Sequence, residues 1–536
     1  ALERLWSRDP SLFSDDPEVR KKVANRLGWV GLASSATAAA TALHAAAGAA
    51  RGAGVTDVVL LGMGGSSLAP LVLSKVALIP EGYPRLHVLD TTSTWIVHRV
   101  VGALQPDETL VLVSSKSGST IEPLSLYAWM RDWADGALGD AAGGHFVAIT
   151  DPGSQLADLA AKERFAAVFH APADVGGRYS ALTPFGLVPA SLIGLDVARL
   201  AARGSSMEKA CRTPGRDNPA IALASFLGDA LAAGRDKLTF ITSERYAPFG
   251  LWVEQLVAES TGKHGKGVLP VLEPSPGDPE SYGGDRMVFV MRQPNDEDLA
   301  RLPARLPGGT PHFETVIYEP YDLGAEFVRW ELAIALLGHL MGIDPFDEPN
   351  VAEAKKATSD ILSGAVPTTR PQLLLGETRI TTNLDLKPAA GAATLATALD
   401  ALLDGAGTGD YLAVLAYLPD DAETTGPLTD ALADVSRHRR MACTLEMGPR
   451  YLHSTGQFHK GGPPKGRFLI ITAGERSGPK VPGQSYSLGQ LVRAQAEGDY
   501  QTLVAHGLPV VRIDLPEPAH APVRMIAETL RGAAAL

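Results

Sequence analysis

The feature that most constrains the fold is a series of short apolar segments, separated from one another by stretches with helical periodicity. The first is Asp57-Val-Val-Leu-Leu-Gly62, and the next three lie at residues 85–90, 109–114 and 146–150. Continuous apolar runs of this length are typical of strands that are buried on both faces of a parallel sheet. Their alternation with helices predicts an α/β fold built on a doubly wound parallel sheet.

The same pattern resumes twice further along the chain. Strand-like segments lie at 237–242, 286–291 and 315–318, and again at 411–417, 467–472 and 509–514. Turn-rich stretches at 214–219 and 367–371 separate the sets. The 536 residues are enough for several domains of about 150 residues each. We therefore predict N-terminal helices and a first domain in residues 1–215, a second domain in 216–366, and a C-terminal α/β region in 367–536.

The turns after the first and third predicted strands carry residues suited to binding an anion. Gly62-Met-Gly-Gly-Ser-Ser67 lets the backbone approach a ligand, and the helix that follows presents free amide groups. Ser114-Ser-Lys-Ser-Gly-Ser-Thr120 holds five hydroxyls in seven residues, more than a helix N-cap requires. Because both turns lie at the carboxyl edge of one predicted sheet, they predict a phosphate site there.

The first turn also has an alternative interpretation. Gly62 and Gly64 match the first two glycines of a dinucleotide-binding fingerprint, and Asp90 stands where an acid would bind the ribose. Ser67 occupies the position of the third glycine. A dinucleotide-dependent dehydrogenase is therefore an alternative, but it leaves the serine cluster unexplained.

Charge and composition exclude several other classes of protein. A net charge of −12 argues against a nucleic-acid partner, and the apolar runs are shorter than a membrane-spanning helix. Cys211 and Cys443 lie far apart without a Cys-x-x-Cys motif, so neither a disulfide framework nor a zinc cluster is predicted. The first 16 residues lack the apolar core of a signal peptide. We therefore expect a cytoplasmic protein with a small-molecule partner and no membrane contact.

Five segments resemble, in order, the motifs of the phosphoglucose isomerase family. They are Gly64-Gly-Ser-Ser67, Ser115-Lys-Ser-Gly-Ser-Thr120, Gly176-Gly-Arg-Tyr-Ser180, Gln255-Leu-Val-Ala-Glu-Ser-Thr-Gly-Lys263 and Phe346-Asp-Glu-Pro-Asn-Val-Ala-Glu-Ala-Lys355. The resemblance covers residues 62–355. It implies two sugar-isomerase (SIS) domains with doubly wound parallel sheets, followed here by the C-terminal α/β region.

The resemblance also implies roles for the matched residues. Glu259 matches the base that moves a proton between C1 and C2, Arg178 the cation beside the enediolate, and Lys355 a lysine that assists ring opening. A guanidinium suits an enediolate because it is always charged and offers no proton. The base needs a buried position that raises its pKa. The matched substrate-binding residues are Ser66, Ser115, Lys116, Ser117, Thr120, Gly177 and Gln255.

The chain departs from the family pattern at two places. Glu348 stands where the family usually has a glutamine, seven residues before the lysine. The family's ring-opening histidine follows a Gly-Gln step between the Glu259 and Lys355 motifs, and no such step occurs there. A similar motif, Tyr451-Leu-His-Ser-Thr-Gly-Gln-Phe-His-Lys-Gly-Gly462, lies beyond Lys355. We therefore predict His459 as the ring-opening acid and base, with His453 as the second candidate.

This displaced motif resembles the isomerase part of bifunctional transaldolase/phosphoglucose isomerase proteins. No Schiff-base motif of a transaldolase is recognised in these residues, so we expect any fused transaldolase portion to lie outside them. The chain begins with Ala1, which fits either removal of Met or a longer polypeptide. In the relatives the histidine comes from a neighbouring subunit, and by analogy we expect a homodimer.

We expect the protein to interconvert glucose 6-phosphate and fructose 6-phosphate through a cis-enediol, a step of glycolysis and gluconeogenesis. The resemblance implies no metal and no redox cofactor. One alternative is a non-catalytic sugar-phosphate sensor, which would have no use for Glu259, Arg178 and Lys355 together. Another is an isomerase that also accepts mannose 6-phosphate, which depends on the shape of the pocket.

Overall fold

The computed structural model describes residues 1–52, 54–273, 277–387, 391–476 and 478–535. Three sheets lie within this part of the chain, and each lies in one of the three ranges predicted above. The predicted α/β class with parallel sheets is confirmed. No helix among the described residues is both long enough and apolar enough to cross a membrane.

The first sheet has five parallel strands in the order β2-β1-β3-β4-β5. Its strands are β1 Asp57–Leu61, β2 Arg85–Leu89, β3 Thr109–Ser114, β4 Phe146–Thr150 and β5 Ala167–His170. The helices of this region are α1 Leu2–Trp6, α2 Pro17–Ala24, α3 Leu32–Arg51, α4 Leu68–Val76, α5 Thr94–Val101, α6 Ile121–Leu138, α7 Gln155–Lys162, α8 Pro184–Leu192 and α9 Val197–Ala210. Every residue of β1, β3 and β4 is buried, which explains their continuous apolar sequences. Helices α8 and α9 are separated at Gly194, whose φ of +84° ends α8.

The second sheet has four parallel strands in the order β7-β6-β8-β9. They are β6 Lys237–Thr242, β7 Leu269–Glu273, β8 Arg286–Arg292 and β9 His312–Val316. The helices here are α10 Pro219–Ala232, α11 Phe249–Thr261, α12 Glu297–Arg305, α13 Leu323–Met341 and α14 Val351–Leu362. The strand predicted at 315–318 therefore lies at β9, which begins and ends earlier.

The third sheet has six strands in the order β10-β11-β15-β14-β12-β13. Strands β12 to β15 are parallel, and the β10–β11 hairpin adds antiparallel to β15. The strands are β10 Leu373–Leu375, β11 Thr378–Thr382, β12 Tyr411–Tyr417, β13 Ala442–Met447, β14 Gly466–Ala473 and β15 Val510–Leu515. The helices are α15 Leu395–Leu403, α16 Ala422–Arg439, α17 Gly456–Gly461, α18 Leu488–Ala505 and α19 His520–Ala534.

Helix α11 lies where the regions meet. Eleven of its residues after Phe249 are buried, including the charged Glu254 and Glu259. Ala258 of α11 packs in one apolar cluster with β7 and with Tyr411 and Phe458 of the C-terminal region. Its opposite side, including Trp252 and Leu256, belongs to the large core that the first two regions share. The packing therefore encloses α11 from both sides and fixes the position of its polar residues.

Candidate active site

The glycine-rich turn after β1 packs directly against two other predicted motifs. Residues Gly64–Ser66 form a 3₁₀ helix, and Gly64 has a φ of +52°. A Cβ atom on Gly65 would lie 2.0 Å from the carbonyl oxygen of Gly177, and one on Gly64 would lie 2.5 Å from Nε2 of Gln255. Only glycine allows this approach. The turn therefore brings Ser66, Gly177 and Gln255 to one site.

The serine-rich turn after β3 lies beside it. The Ser114 hydroxyl donates to the carbonyl oxygen of Ser66 at 2.9 Å, which links the two turns. Ser115 contacts the Thr120 hydroxyl at 3.4 Å and accepts a hydrogen bond from the Gly118 amide. Helix α6 begins directly after Thr120, so its first amide groups face the same place. The arrangement concentrates hydroxyl and amide donors as an anion site requires.

Lys116 points away from these hydroxyls. Its Nζ atom lies 2.5 Å from Asp151 and donates to the carbonyl oxygen of Ala173 at 2.9 Å. The Lys116 charge is therefore already paired. The exposed Ser117 contacts the Ser119 hydroxyl at 2.9 Å.

Glu259 is the buried carboxylate of the site. Its Oε1 atom lies 3.1 Å from NH1 of Arg178, and its Oε2 atom accepts a hydrogen bond of 3.2 Å from Gln255. Burial raises the pKa of Glu259, and this effect together with the charge of Glu348 outweighs the opposing effects of Arg178 and His453. A carboxylate with a raised pKa is a stronger base, as proton abstraction requires.

Arg178 is held by four contacts. NH2 donates to the carbonyl oxygens of Pro345 and Asp347, each at 3.0 Å, while NH1 contacts both Glu259 and Glu348. Burial opposes its charge, but the two carboxylates raise the pKa of Arg178 above its usual range. Its Nε atom, like Oε1 of Gln255, is buried without a hydrogen-bond partner among the described residues. A donor and an acceptor thus remain for a polar ligand.

His453, the second histidine candidate, lies in this cluster. Its Nε2 atom lies 2.8 Å from Oε1 of Glu122, which also accepts 2.7 Å from Gln495. The His453 carbonyl oxygen accepts from Gln255 at 2.7 Å. Burial raises the pKa of Glu122, but His453, and to a lesser extent Lys355, lower it below its usual range. Lys355 itself is exposed on α14, and its positive charge also acts on Glu122.

Sequence reasoning missed Glu122, whose position suggests only a contribution to a helix N-terminus. The available signal was an acid two residues after the serine turn, in the first turn of α6. Its burial and its bond to His453 give it the function of orienting the imidazole.

His459, the histidine predicted to open the ring, does not reach this cluster. Its side chain is buried, with Nδ1 2.9 Å from the Tyr411 hydroxyl and Nε2 2.9 Å from Glu446. Thr444 and Thr455 also donate to Glu446. Both ring nitrogens of His459 therefore have protein partners, whereas His453 contacts Glu122 through its ring and Gln255 through its carbonyl oxygen.

The other residues of the histidine motif anchor the loop that carries His453. The Tyr451 hydroxyl and the Lys460 ammonium both contact Asp499 of α18, at 2.6 and 2.5 Å. Gln457 donates to the carbonyl oxygen of Gly262, next to the end of α11. Arg450 contacts Asp90 at 2.6 Å. These contacts fix the loop to all three sheet regions.

Replacing His459 with phenylalanine should destabilise the C-terminal region without removing a group from the site. The ring fits between Tyr411 and Phe468, but Glu446 loses a partner in a buried position. Breaking such a pair costs about 3 kcal/mol. Urea unfolding followed by fluorescence should show this loss. His506→Gln, which breaks a largely exposed pair with Glu353, should cost less than about 1 kcal/mol. If both variants lost the same free energy of unfolding, the conclusion that the buried His459–Glu446 pair stabilises the fold would be contradicted.

Residues 39–268 match the phosphoglucose isomerase family. The glucose-6-phosphate isomerase of Prochlorococcus marinus (strain MIT 9313) is 30% identical over 399 residues, covering 67% of this chain and 71% of that protein. That of Symbiobacterium thermophilum is 30% identical over 364 residues, covering 58% and 80%. That of Rubrobacter xylanophilus is 28% identical over 361 residues, covering 58% and 83%.

Two solved structures share the fold. A hypothetical protein from Thermus thermophilus superposes with a TM-score of 0.58 at 26% identity, covering 68% of this chain and 95% of that one. A glucose-6-phosphate isomerase from Chlamydia trachomatis superposes with a TM-score of 0.52 at 22% identity, covering 68% and 78%.

Proposed function

The chain belongs to the phosphoglucose isomerase family, and from this membership and the site we infer that it interconverts glucose 6-phosphate and fructose 6-phosphate. The observation that carries the mechanism is the buried Glu259, in contact with Arg178 and close to His453. Proton transfer through an enediol is served by a base and by a fixed cation beside the developing negative charge, and ring opening is served by a histidine that exchanges protons.

The sugar phosphate is held by the two linked turns. We assign the phosphate contacts to Ser66, Ser115, Ser117 and Thr120, with the amide groups at the start of α6. Gln255 and the backbone at Gly177 line the side nearest Glu259. Lys116, which the resemblance places among the binding residues, lies next to Ser115 and Ser117 in the chain but has its charge paired with Asp151.

Ring opening requires a proton on the ring oxygen O5. His453 gives that proton to O5 and takes up the proton of the C1 hydroxyl, so that the C1–O5 bond breaks, a C1 carbonyl forms and the histidine regains its starting protonation. The Glu122 carboxylate accepts a hydrogen bond from Nε2–H of His453, which leaves Nδ1 as the ring nitrogen that exchanges a proton with the sugar. Lys355 is the second group that we propose for proton exchange at O5.

Isomerisation follows on the open chain. Glu259 removes the proton from C2, and the electron pair forms the C1–C2 double bond while negative charge develops on O1. Arg178 stabilises that charge, and its own contacts hold it in place before the reaction begins. Glu259 then returns the proton to C1 while the O2 hydroxyl loses its proton and O1 gains one. The product is the C2 ketone.

The dehydrogenase alternative requires a free Asp90 at the ribose position. Both oxygens of Asp90 accept hydrogen bonds from Arg450, at 2.6 and 3.2 Å. Its carboxylate therefore serves the contact between the first and third regions. The isomerase function therefore explains the glycine-rich turn after β1 better than the dehydrogenase alternative does.

His453 reaches the site within one chain, so a partner subunit is not needed to supply the histidine. The homodimer, the fused transaldolase portion and the cytoplasmic location remain predictions. Acceptance of mannose 6-phosphate also remains a prediction, because epimers at C2 carry that proton on opposite faces of the carbon and the shape of the pocket decides which of them reaches Glu259.

The test is turnover of fructose 6-phosphate by the purified protein, coupled to glucose-6-phosphate dehydrogenase. The wild type should be active, and His453→Gln should lower kcat/KM about 100-fold, because an amide cannot exchange the proton. His459→Phe should keep its turnover at temperatures where it is folded. Full activity of His453→Gln would contradict the ring-opening assignment. An inactive wild type that binds sugar phosphate would favour the sensor.

A further inference from the structure

We propose that Glu348 sets the pH range in which Glu259 acts, by sharing the Arg178 guanidinium with it. The inference rests on the isomerase function proposed above. Glu348 would be a positioning residue: it acts on the base through Arg178 and takes no proton from the sugar itself.

The geometry is a three-membered charge cluster. One nitrogen, NH1 of Arg178, lies 3.1 Å from Oε1 of Glu259 and 3.2 Å from Oε2 of Glu348. The other terminal nitrogen is committed to the carbonyl oxygens of Pro345 and Asp347. The NH1 amino group of Arg178 therefore contacts both carboxylates. Because Glu348 is negatively charged, it offsets part of the stabilisation that Arg178 gives to the ionised form of Glu259.

The charge balance distinguishes this chain from the family pattern. A glutamine at position 348 would accept the same hydrogen bond but would leave Arg178 with Glu259 as its sole contacting carboxylate. A glutamate adds a negative charge on the far side of the guanidinium. The proton on Glu259 is then held more tightly, since a nearby like charge disfavours ionisation. The raised pKa of Glu259, to which Glu348 contributes, agrees with this direction.

Other charged groups also face the pair. His453 and its partner Glu122 lie on one side, and their effect on Glu259 is to lower its pKa through the histidine. Beyond Arg178, the buried Lys263 pairs with Asp347 at 2.7 Å, and Asp344 lies near both. These groups contact Arg178 or each other and are unaltered by a change at position 348. We therefore expect them to act on the pKa of Glu259 in the same way in the wild type and in a variant at position 348.

Two other roles for Glu348 are open to test. It could act only as an anchor for Arg178, in which case its loss would lower activity equally at every pH. It could instead bind a sugar hydroxyl, in which case its loss would raise KM without moving the pH profile. Loss of Glu348 therefore has a different effect in each role: a shift of the pH profile, an equal loss of activity at every pH, or a higher KM.

The experiment is the pH dependence of kcat/KM for wild type and Glu348→Gln. We expect the acid limb to move to lower pH by about one unit in the variant, because the base loses a like charge. A weaker base should also lower the plateau a few-fold. Glu348 is 43% exposed, so the shift should shrink in high salt. Glu348→Asp retains the charge and should keep the limb near that of the wild type.

Glu353→Gln is the matched control. Glu353 lies on α14, its side chain is 47% exposed, and it pairs with His506 rather than with Arg178. Glu353→Gln also removes one negative charge, but it should leave the acid limb of the pH profile at its wild-type position. An equal shift in both variants, an unmoved limb in Glu348→Gln, or a change in KM alone would overturn the inference.

A second measurement does not depend on turnover. The Glu259 carboxyl resonance, assigned by its loss in Glu259→Gln, can be titrated by ¹³C NMR in wild type and Glu348→Gln. A lower midpoint in the variant supports the inference even if the protein proves not to be an isomerase. An unchanged midpoint contradicts it even if the protein is one.

Discussion

Glu259→Gln should abolish isomerisation, lowering kcat about 1,000-fold, because the variant loses the buried carboxylate that we propose as the base. The amide keeps the shape of the side chain and still accepts from Arg178, but it has no basic oxygen at working pH. Arg178 retains Glu348 as a counterion, so the variant should fold. Fructose 6-phosphate turnover gives kcat, and calorimetry gives the affinity for the sugar phosphate, which should change little.

The control for this variant is Glu254→Gln. Glu254 is the preceding buried acid on α11, but it accepts a hydrogen bond from Ser454 instead of contacting Arg178. Burial and the charge of Glu446 raise the pKa of Glu254 to about 8, so it is mostly protonated at neutral pH and the amide is a close mimic. Its kcat should stay close to that of the wild type. A Glu259→Gln protein with more than a tenth of wild-type activity would contradict the assignment of the base.

Arg178→Lys should lower kcat several hundred-fold while preserving the charge. The guanidinium uses two nitrogens to hold two carbonyl oxygens and two carboxylates at once. A single ammonium group cannot make this planar set of contacts, so the charge would no longer lie where O1 becomes negative. Because the loss occurs in the transition state, kcat should fall more than KM rises.

Arg512→Lys tests whether the loss is merely structural. Arg512 is also buried and contacts two carboxylates, Glu497 and Asp514, but in the C-terminal sheet. Its replacement should lower the melting temperature and leave kcat nearly unchanged. If the two lysine variants lost the same share of kcat, Arg178 would have no special role in the reaction.

The central strands could be predicted from the sequence, whereas most edge strands could not. Strands such as β1, β3 and β12 are buried on both faces and appear as unbroken apolar runs. The strands that were missed lie at sheet edges or in the β10–β11 hairpin: β5, β7, β10, β11 and β13. Strand β7 contains Pro270, which an edge tolerates because one side of the strand has no partner, and β13 alternates buried with partly buried residues.

The parts of the site that lie in local sequence motifs could be predicted. The partners of individual side chains could not, because tertiary contacts determine them. The glycine and serine turns converge as predicted because parallel strands end at one sheet edge. His453 and His459 lie in the same short motif, and only the fold determines that Glu122 meets the first and Glu446 the second. The orientation of Lys116 toward Asp151 is likewise invisible in its motif.

The contact between Gln255 and the His453 carbonyl joins residues that are 198 positions apart. Closing so long a loop costs conformational entropy, and non-local contacts of this kind slow folding. We therefore expect the candidate active site to form late in folding, after the individual sheets. Turnover in a refolding sample reports the docking of the C-terminal region, whereas spectroscopic signals from the strands report earlier events.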